Sequence, residues 1–152
     1  MAPRHPPIEI SARVVLTFGD RVLLANRRGE NWFFLPGGNV LPGESVEAAL
    51  HREIDAETGL DIDIDDIEFV GCVEHVYTEG GTQYHELNVL FGANVPRWSE
   101  IGSRKDEIHL ASVALRALPS LELRPASLGE AILRWLRTNR PGWQPAAPRI
   151  DK

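Results

Sequence analysis

Apolar and polar positions alternate along Ile8–Val14 of Ile8–Phe18 ("IEISARVVLTF"), and Arg21–Arg27 ("RVLLANR") holds a short continuous apolar run; each stretch predicts a strand. Gly19-Asp20 between them suits a tight hairpin turn. Asn31–Gly38 ("NWFFLPGG") reads as a short apolar strand ended by Pro36 and two glycines. The spacing then changes to a helical one, which runs from Val46 and stops at Gly59, a residue suited to the left-handed position just past a helix. Ile67–Thr78 and Thr82–Val95 flank "EGG" and predict a second hairpin. Arg97–Ile108 is polar and loop-like, and His109–Leu118 fits either a strand or a helix. A terminal helix follows, with Ser127 and Glu130 in a capping-box pattern and Pro141-Gly142 as its stop. Strands before and after one helix, with a second helix at the end, predict an α/β (α+β) domain whose mixed sheet is covered by helices. One domain over residues 1–152 is expected, with 1–7 and 142–152 as loose tails.

The central helix breaks its own pattern. With Glu53 as reference and about 100° per residue, Val46 lies near +20°, Ala49 near −40°, Leu50 near +60° and Glu57 near +40°. Glu53 and Glu57 therefore continue the apolar stripe, whereas Glu47 and Asp55 fall to either side as solvated acids should. Two carboxylates one turn apart on a packed face repel each other and resist losing water. A divalent cation removes both difficulties, and hard oxygen ligands suit magnesium, which keeps several waters and also binds substrate phosphates. "PGGNVLPGE" places flexible backbone at the helix start, where carbonyls can reach a metal and amides can approach phosphate. Helix geometry alone leaves open the plainer alternative of glutamates bordering a buried stripe in an acidic protein.

Composition narrows the partners. The formal charge of −6 disfavours extended binding to a nucleic-acid polymer, although a small anionic substrate stays open where arginines or a cation offset the field. The one cysteine, Cys72, excludes an internal disulfide and a cysteine-built zinc site, and its apolar run marks it as a small core residue. With no apolar run long enough for a membrane helix and no apolar segment in "MAPRHPPIEI", the expected location is cytoplasmic and away from membranes.

The stretch "GNVLPGESVEAALHREIDAETGL" resembles the signature of the Nudix (MutT-like) hydrolases, G-x5-E-x7-R-E-U-x-E-E-x-G-U with U aliphatic. Gly38, Glu44, Arg52, Glu53, Ile54, Glu57, Gly59 and Leu60 match, and Ala56 stands where the first of the paired acids belongs. The "FLPGG" lead-in and the flanking strands extend the likeness over most of the chain. The resemblance implies an α/β/α sandwich with a mixed sheet. It also implies Mg2+- or Mn2+-dependent hydrolysis of a nucleoside diphosphate linked to another moiety. Carried over position by position, Glu53 and Glu57 are metal ligands, with Glu53 also a candidate general base. Arg52 orients the acids, Gly38 offers a backbone carbonyl, and Glu44 supports the loop or reaches a metal through water.

Ala56 removes one ligand and one negative charge, which lowers metal affinity or the number of ions held. Glu86, Glu100, Asp106 and Glu107 are candidate replacements, each weighed against an ordinary solvated acid. Arg27 and Arg28 are candidate phosphate contacts; Trp32, Trp98 and Tyr77 could stack on a base. Tyr77 also resembles a tyrosine of the diadenosine-polyphosphate branch, while the ADP-ribose proline and the coenzyme A pattern are absent. His75, His85 and His109 share no metal-ligand spacing. An enzyme is the favoured reading; a catalytically weak nucleotide-binding sensor is the alternative. Family relatives are often homodimers, and the sequence leaves the oligomeric state open.

Overall fold

The computed structural model describes residues 6–60, 66–94, 103 and 105–146. Seven strands form one mixed sheet: β1 (Glu9–Phe18), β2 (Arg21–Arg27), β3 (Gly37–Asn39), β4 (Glu68–Glu79), β5 (Thr82–Asn94), β6 (Ile108–Ala114) and β7 (Gly142–Gln144). Their lateral order is β6-β2-β1-β5-β4-β7, with β3 also paired to β1. β1–β5 and β4–β7 are parallel; the other pairs are antiparallel.

Alternation along β1 sends Ala12, Val14 and Leu16 to one face of the sheet and Val15 to the other. On the first face they meet Ala49, Leu50 and Ile54 of helix α1 (Val46–Thr58). On the second, Val15, Leu24 and Leu90 meet Leu128, Ala131 and Ile132 of helix α2 (Leu128–Thr138). The result is the expected sandwich of helix, sheet and helix.

β1 and β2 pair only beside their turn, at Thr17–Val22 and Phe18–Arg21, and then splay. The returning chain fills the gap. Phe34 bridges to Ala25, the amide of Val14 donates to the carbonyl of Pro36 at 3.0 Å, and β3 pairs with the start of β1. The apolar stretch at 31–38 is therefore two isolated bridges, at Phe33 and Phe34, followed by a three-residue strand, rather than one strand. Gly37 has φ 141°, and a Cβ there would stand 2.0 Å from the carbonyl oxygen of Ala12, so only glycine lets β3 approach.

Other expectations also change in three dimensions. The ambiguous run after His109 divides into β6 and a 3-10 helix, Leu115–Ser120. Ser127 sits at the N-cap of α2 with ψ 2°, not the extended value a capping side chain needs, and its hydroxyl is buried without a hydrogen-bond partner. Glu130 bonds to Gln144 instead of closing a capping box (3.3 Å). The helix ends at Asn139 in the left-handed conformation (φ 53°), ahead of Pro141-Gly142.

Residues 142–144, expected within a loose tail, form β7. Parallel pairing of Gly71 with Gly142, and the Arg134–Gln144 hydrogen bond (3.0 Å), hold it at the edge of β4. Cys72, opposite Trp143 in this pairing, is half-buried rather than part of the core. Residues 1–5, 61–65, 95–102, 104 and 147–152, including Trp98 and Glu100, lie outside the described part.

Trp135 of α2 packs on Gly92 of β5, where a Cβ would stand 2.5 Å from the indole ring. Gly92→Val is expected to cost about 1–3 kcal/mol by overpacking this seam. Urea unfolding checks it; an unchanged midpoint would show that α2 is free to shift off the sheet.

Candidate active site

Helix α1 begins where the Ser45 hydroxyl accepts from the Ala48 amide at 3.1 Å and ends at Gly59 in the left-handed conformation. Its buried residues are Ala49, Leu50, Ile54, Glu57 and Thr58, so an acid does sit on the packed stripe. Glu57 is only 4% exposed, and its Oε2 accepts from the Gly37 amide at 3.0 Å. Burial pushes this carboxyl above the ordinary carboxylate range. The Gly37 amide and the charges of Arg13 and Lys105 oppose that rise, and Glu53 adds to it.

Glu53, one turn back at the border of the stripe, has a 16% exposed side chain. It lies against Gly38, where a Cβ would stand 2.6 Å from the Glu53 carboxyl carbon. Gly38 itself pairs with Ala12 in the β1–β3 ladder. The two glycines thus bring the backbone of β3 against both acids.

Arg52 is the clamp of the preceding loop. Its Nε and Nη2 donate to the two oxygens of Glu44 at 2.9 Å each, Nη2 also reaches the Asn39 carbonyl at 3.0 Å, and Nη1 donates to Glu53 Oε1 at 2.6 Å. The Arg52 guanidinium and the Leu41 amide hold the Glu44 carboxyl down at about 2. Both Glu44 oxygens are committed, and neither Glu44 nor Arg52 lines the cleft described next. Glu44 thus ties the Leu41 amide to Arg52 within the loop between β3 and α1. Arg52 holds Glu53 Oε1 and does not itself line the cleft.

A cleft of about 1210 Å³ opens beside β3. Glu53, Glu57, Gly37 and Gly38 line it, together with Arg27, Arg28, Trp32, Tyr77, Glu86 and Glu107 from the sequence candidates. Arg28 Nε donates to the Asp106 carbonyl, while the Arg27 side chain has no hydrogen bond or ion pair within the described residues. Ala56 is exposed and absent from the lining. His85 pairs instead with Glu74 (2.8 Å), and His109 is exposed on β6.

Four contributors were not picked out in the sequence. Arg13 donates to the carbonyls of Leu35 and Gly37 (3.1 and 3.0 Å) and spans to Asn88 (3.4 Å). Lys105 Nζ stands 3.9 Å from Glu53 Oε2, and the Arg124 guanidinium lies 4.3 Å over the Trp32 ring. For Arg13 and Asn88 the available signal was a polar residue recurring at every second position of "SAR" and "ELN" inside apolar strands.

The donor chemistry, hard carboxylate oxygens, fits a divalent ion. Among the described residues no three His, Cys, Asp or Glu side chains converge as a complete cage. Two carboxylates and adjacent backbone oxygens are nonetheless the few hard ligands such an ion takes from protein when phosphate supplies the rest. The Glu44–Arg52 pair links stability to pH. The folded pKa of Glu44 is depressed from 4.5 to about 2, so its stabilisation is present above pH 4.5 and is lost as pH falls towards 2. Urea midpoints measured across that window are expected to fall less steeply for Glu44→Gln than for wild type; identical slopes would show that the clamp adds no pH-dependent stability.

Three comparisons bear on ancestry. The NUDIX domain model matches residues 7–136. A low-salt glycan biosynthesis protein of Haloferax volcanii is 34% identical over 90 residues, which is 54% of this chain and 56% of that relative's own length. The fold is similar to a MutT Nudix hydrolase from Burkholderia pseudomallei (TM-score 0.68, 23% identity, 82% of this chain and 96% of that one). It is also similar to a MutT protein from Methanosarcina mazei (0.67, 24%, 91% and 99%) and to the Escherichia coli dihydroneopterin triphosphate pyrophosphohydrolase (0.65, 22%, 84% and 94%). With the family model covering most of its length and the signature helix set against a glycine bend, this chain belongs to the Nudix hydrolase family.

Proposed function

We propose that the protein hydrolyses a phosphorus-containing anhydride, the pyrophosphate bond of a nucleoside diphosphate linked to another moiety, with a divalent ion held by Glu53 and Glu57. The observation that carries this reading is the placement of both acids, one turn apart, in one cleft against the Gly37–Gly38 backbone. Magnesium or manganese, when bound there, would neutralise phosphate charge and lower the pKa of an attacking water.

The chain's own residues prepare that chemistry. Gly37 donates its amide to Glu57, fixing the carboxylate before substrate arrives. Arg52 holds Glu53 Oε1 and leaves Oε2 towards Lys105, so one oxygen remains to accept a proton or share a cation. Arg27, the last residue of β2, and Arg28 after it line the cleft, which supports a role in meeting phosphate oxygens. The Haloferax relative's part in glycan biosynthesis keeps a nucleotide-linked sugar among the candidate substrates. No described helix is long and apolar enough to cross a membrane. A cytoplasmic location and a homodimer belong to this reading only as expectations.

Ala56 favours one second reading, a nucleotide-binding module with weak catalysis, because no described acid stands in its place on α1. Turnover separates the two. A panel of nucleotide diphosphate derivatives with magnesium, read as phosphate release after phosphatase treatment, is expected to show cleavage that chelation abolishes. Glu53→Gln is expected to lower kcat by about 10²-fold or more while leaving the melting temperature intact. Binding without turnover in wild type would select the sensor. A magnesium titration of Ala56→Glu is expected to show tighter binding than wild type; equal affinity would mean that position 56 does not reach the ion.

A further inference from the structure

The lysine and arginine side chains that line the cleft are Arg13, Arg27, Arg28, Lys105 and Arg124 among the described residues, and four of them are spent or loose. Arg28 donates to the Asp106 carbonyl, and Lys105 stands 3.9 Å from Glu53. Arg124 lies over Trp32, with Glu122 3.8 Å away. Arg27 is exposed at the end of β2, so using it means first freezing a flexible side chain. Arg13 differs from all of these. It sits half-buried on β1, its backbone paired with Gly37 on one side and Leu90 on the other.

The Arg13 side chain is fixed in place. Nη1 donates to the carbonyls of Leu35 (3.1 Å) and Gly37 (3.0 Å), and Nε to Asn88 Oδ1 at 3.4 Å. Asn88 is 2% exposed and held in turn, its Nδ2 donating to the Val73 carbonyl at 3.3 Å. A guanidinium carries five N–H groups, and these contacts use three. The two on Nη2 have no acceptor among the described residues. Ser127 Oγ is the one buried side-chain polar atom without a partner among those residues, so Nη2 is not sealed off; the solvent it meets is that of the cleft.

The charge of Arg13 is as unspent as its donors. It forms no ion pair among the described residues, yet its field reaches two acids. Burial pushes the carboxyls of Glu57 and Glu86 up, and the Arg13 charge opposes that rise in both. A half-buried cation that touches no acid is costly unless something anionic completes the site. Glu86 is engaged by His75 and Asn88, and Glu57 is committed to the divalent ion. Phosphate oxygens remain to meet it.

Cleavage of a diphosphate creates such a need. A water oxygen forms the new bond to phosphorus while the bridging P–O bond breaks. The electron pair stays on the leaving oxygen, and one water proton passes to base or solvent. Negative charge therefore grows on phosphate oxygens, where a cation already fixed in place is most effective.

We propose that Arg13 is a catalytic residue, its Nη2 donating to oxygens of the substrate's diphosphate while Nε and Nη1 stay locked on Asn88 and the glycine bend. The inference rests on the hydrolase reading above and adds the group that meets the phosphates from the cleft floor.

The test takes inorganic pyrophosphate as its probe, with Arg13→Met and Arg13→Lys, and circular dichroism to confirm the fold. Three quantities are measured: Mg2+ affinity without pyrophosphate, pyrophosphate affinity with Mg2+, and kcat on nucleotide diphosphate derivatives. In Arg13→Met, pyrophosphate is expected to bind about tenfold or more weakly and kcat to fall about 10²-fold. Mg2+ alone is expected to bind as tightly as in wild type or more tightly, because a cation near Glu57 is gone. Arg13→Lys, which keeps the charge without the planar fork, is expected to fall between the two. Added guanidinium ion is expected to restore part of the kcat lost in Arg13→Met, and equimolar urea none. A purely structural clamp would weaken Mg2+ together with pyrophosphate and would not respond to guanidinium, which overturns the proposal. Wild-type pyrophosphate affinity in the variants, or no pyrophosphate binding by wild type, overturns it as well. Should Arg13→Met fail to fold, the pyrophosphate and Mg2+ affinities of Arg13→Lys decide on the same terms. If nothing is cleaved but pyrophosphate binding falls with Arg13, the hydrolase reading fails and the phosphate contact stands. If wild type cleaves and the variants keep its kcat and pyrophosphate affinity, the hydrolase stands and the role of Arg13 fails.

Discussion

A carboxylate deprived of water must find donors or a cation, and Glu57 finds one backbone amide, that of Gly37 at 3.0 Å. Most of the local architecture exists to make that contact. Gly37 can offer its amide only from a backbone at φ 141°, pressed against the Ala12 carbonyl so closely that no side chain fits. β3 in turn finds room beside β1 because β2 pairs with β1 over two residues and then turns away. Leu50 and Ile54 seat α1 on Ala12, Val14 and Leu16, which aims the acids past β3. Remove the glycine and the strand, the helix seat and the acid all lose their register together.

The charges around that contact form two layers with separate tasks. Outside the cleft, Arg52 satisfies Glu44, Glu53 and the Asn39 carbonyl at once, so the loop between β3 and α1 is held by one side chain. Inside it, Arg13 binds the carbonyls of Leu35 and Gly37 and stands near Asn88, stiffening the floor from beneath. Lys105 approaches Glu53 at 3.9 Å and limits the repulsion between the two acids. Their combined field still leaves the Glu57 carboxyl above its ordinary range, because burial outweighs them.

Much of this was legible in residue order, and the reasons for what was not are specific. The helical period placed Glu57 on the buried stripe of α1, and the spacing from Gly38 to Leu60 carried the family likeness, because both depend on near neighbours in the chain. Ser127 misled because a capping pattern is a statement about side chains, while ψ at that residue is imposed by the packing of α2. β7 was invisible because a three-residue parallel strand has no periodicity of its own; its partner lies some seventy residues back, across Gly71. Arg13 and Asn88 were not picked out, because period-two alternation cannot distinguish the wet side of a half-buried strand from the floor of a cleft.

By itself, then, the order of residues determined strands β1, β2, β4 and β5, both α-helices, the inward acids, the glycine bend beside them and the family. Tertiary structure alone decided that Glu44 and Arg52 stand outside the cleft, that Glu86 and Tyr77 face into it, and that residues 142–144 complete the sheet. The division has a physical cause. Helical period and turn chemistry act within a few residues. The face that a strand turns to solvent, by contrast, depends on which helix covers it, and α2 stops short of the face where β4 and β5 line the cleft.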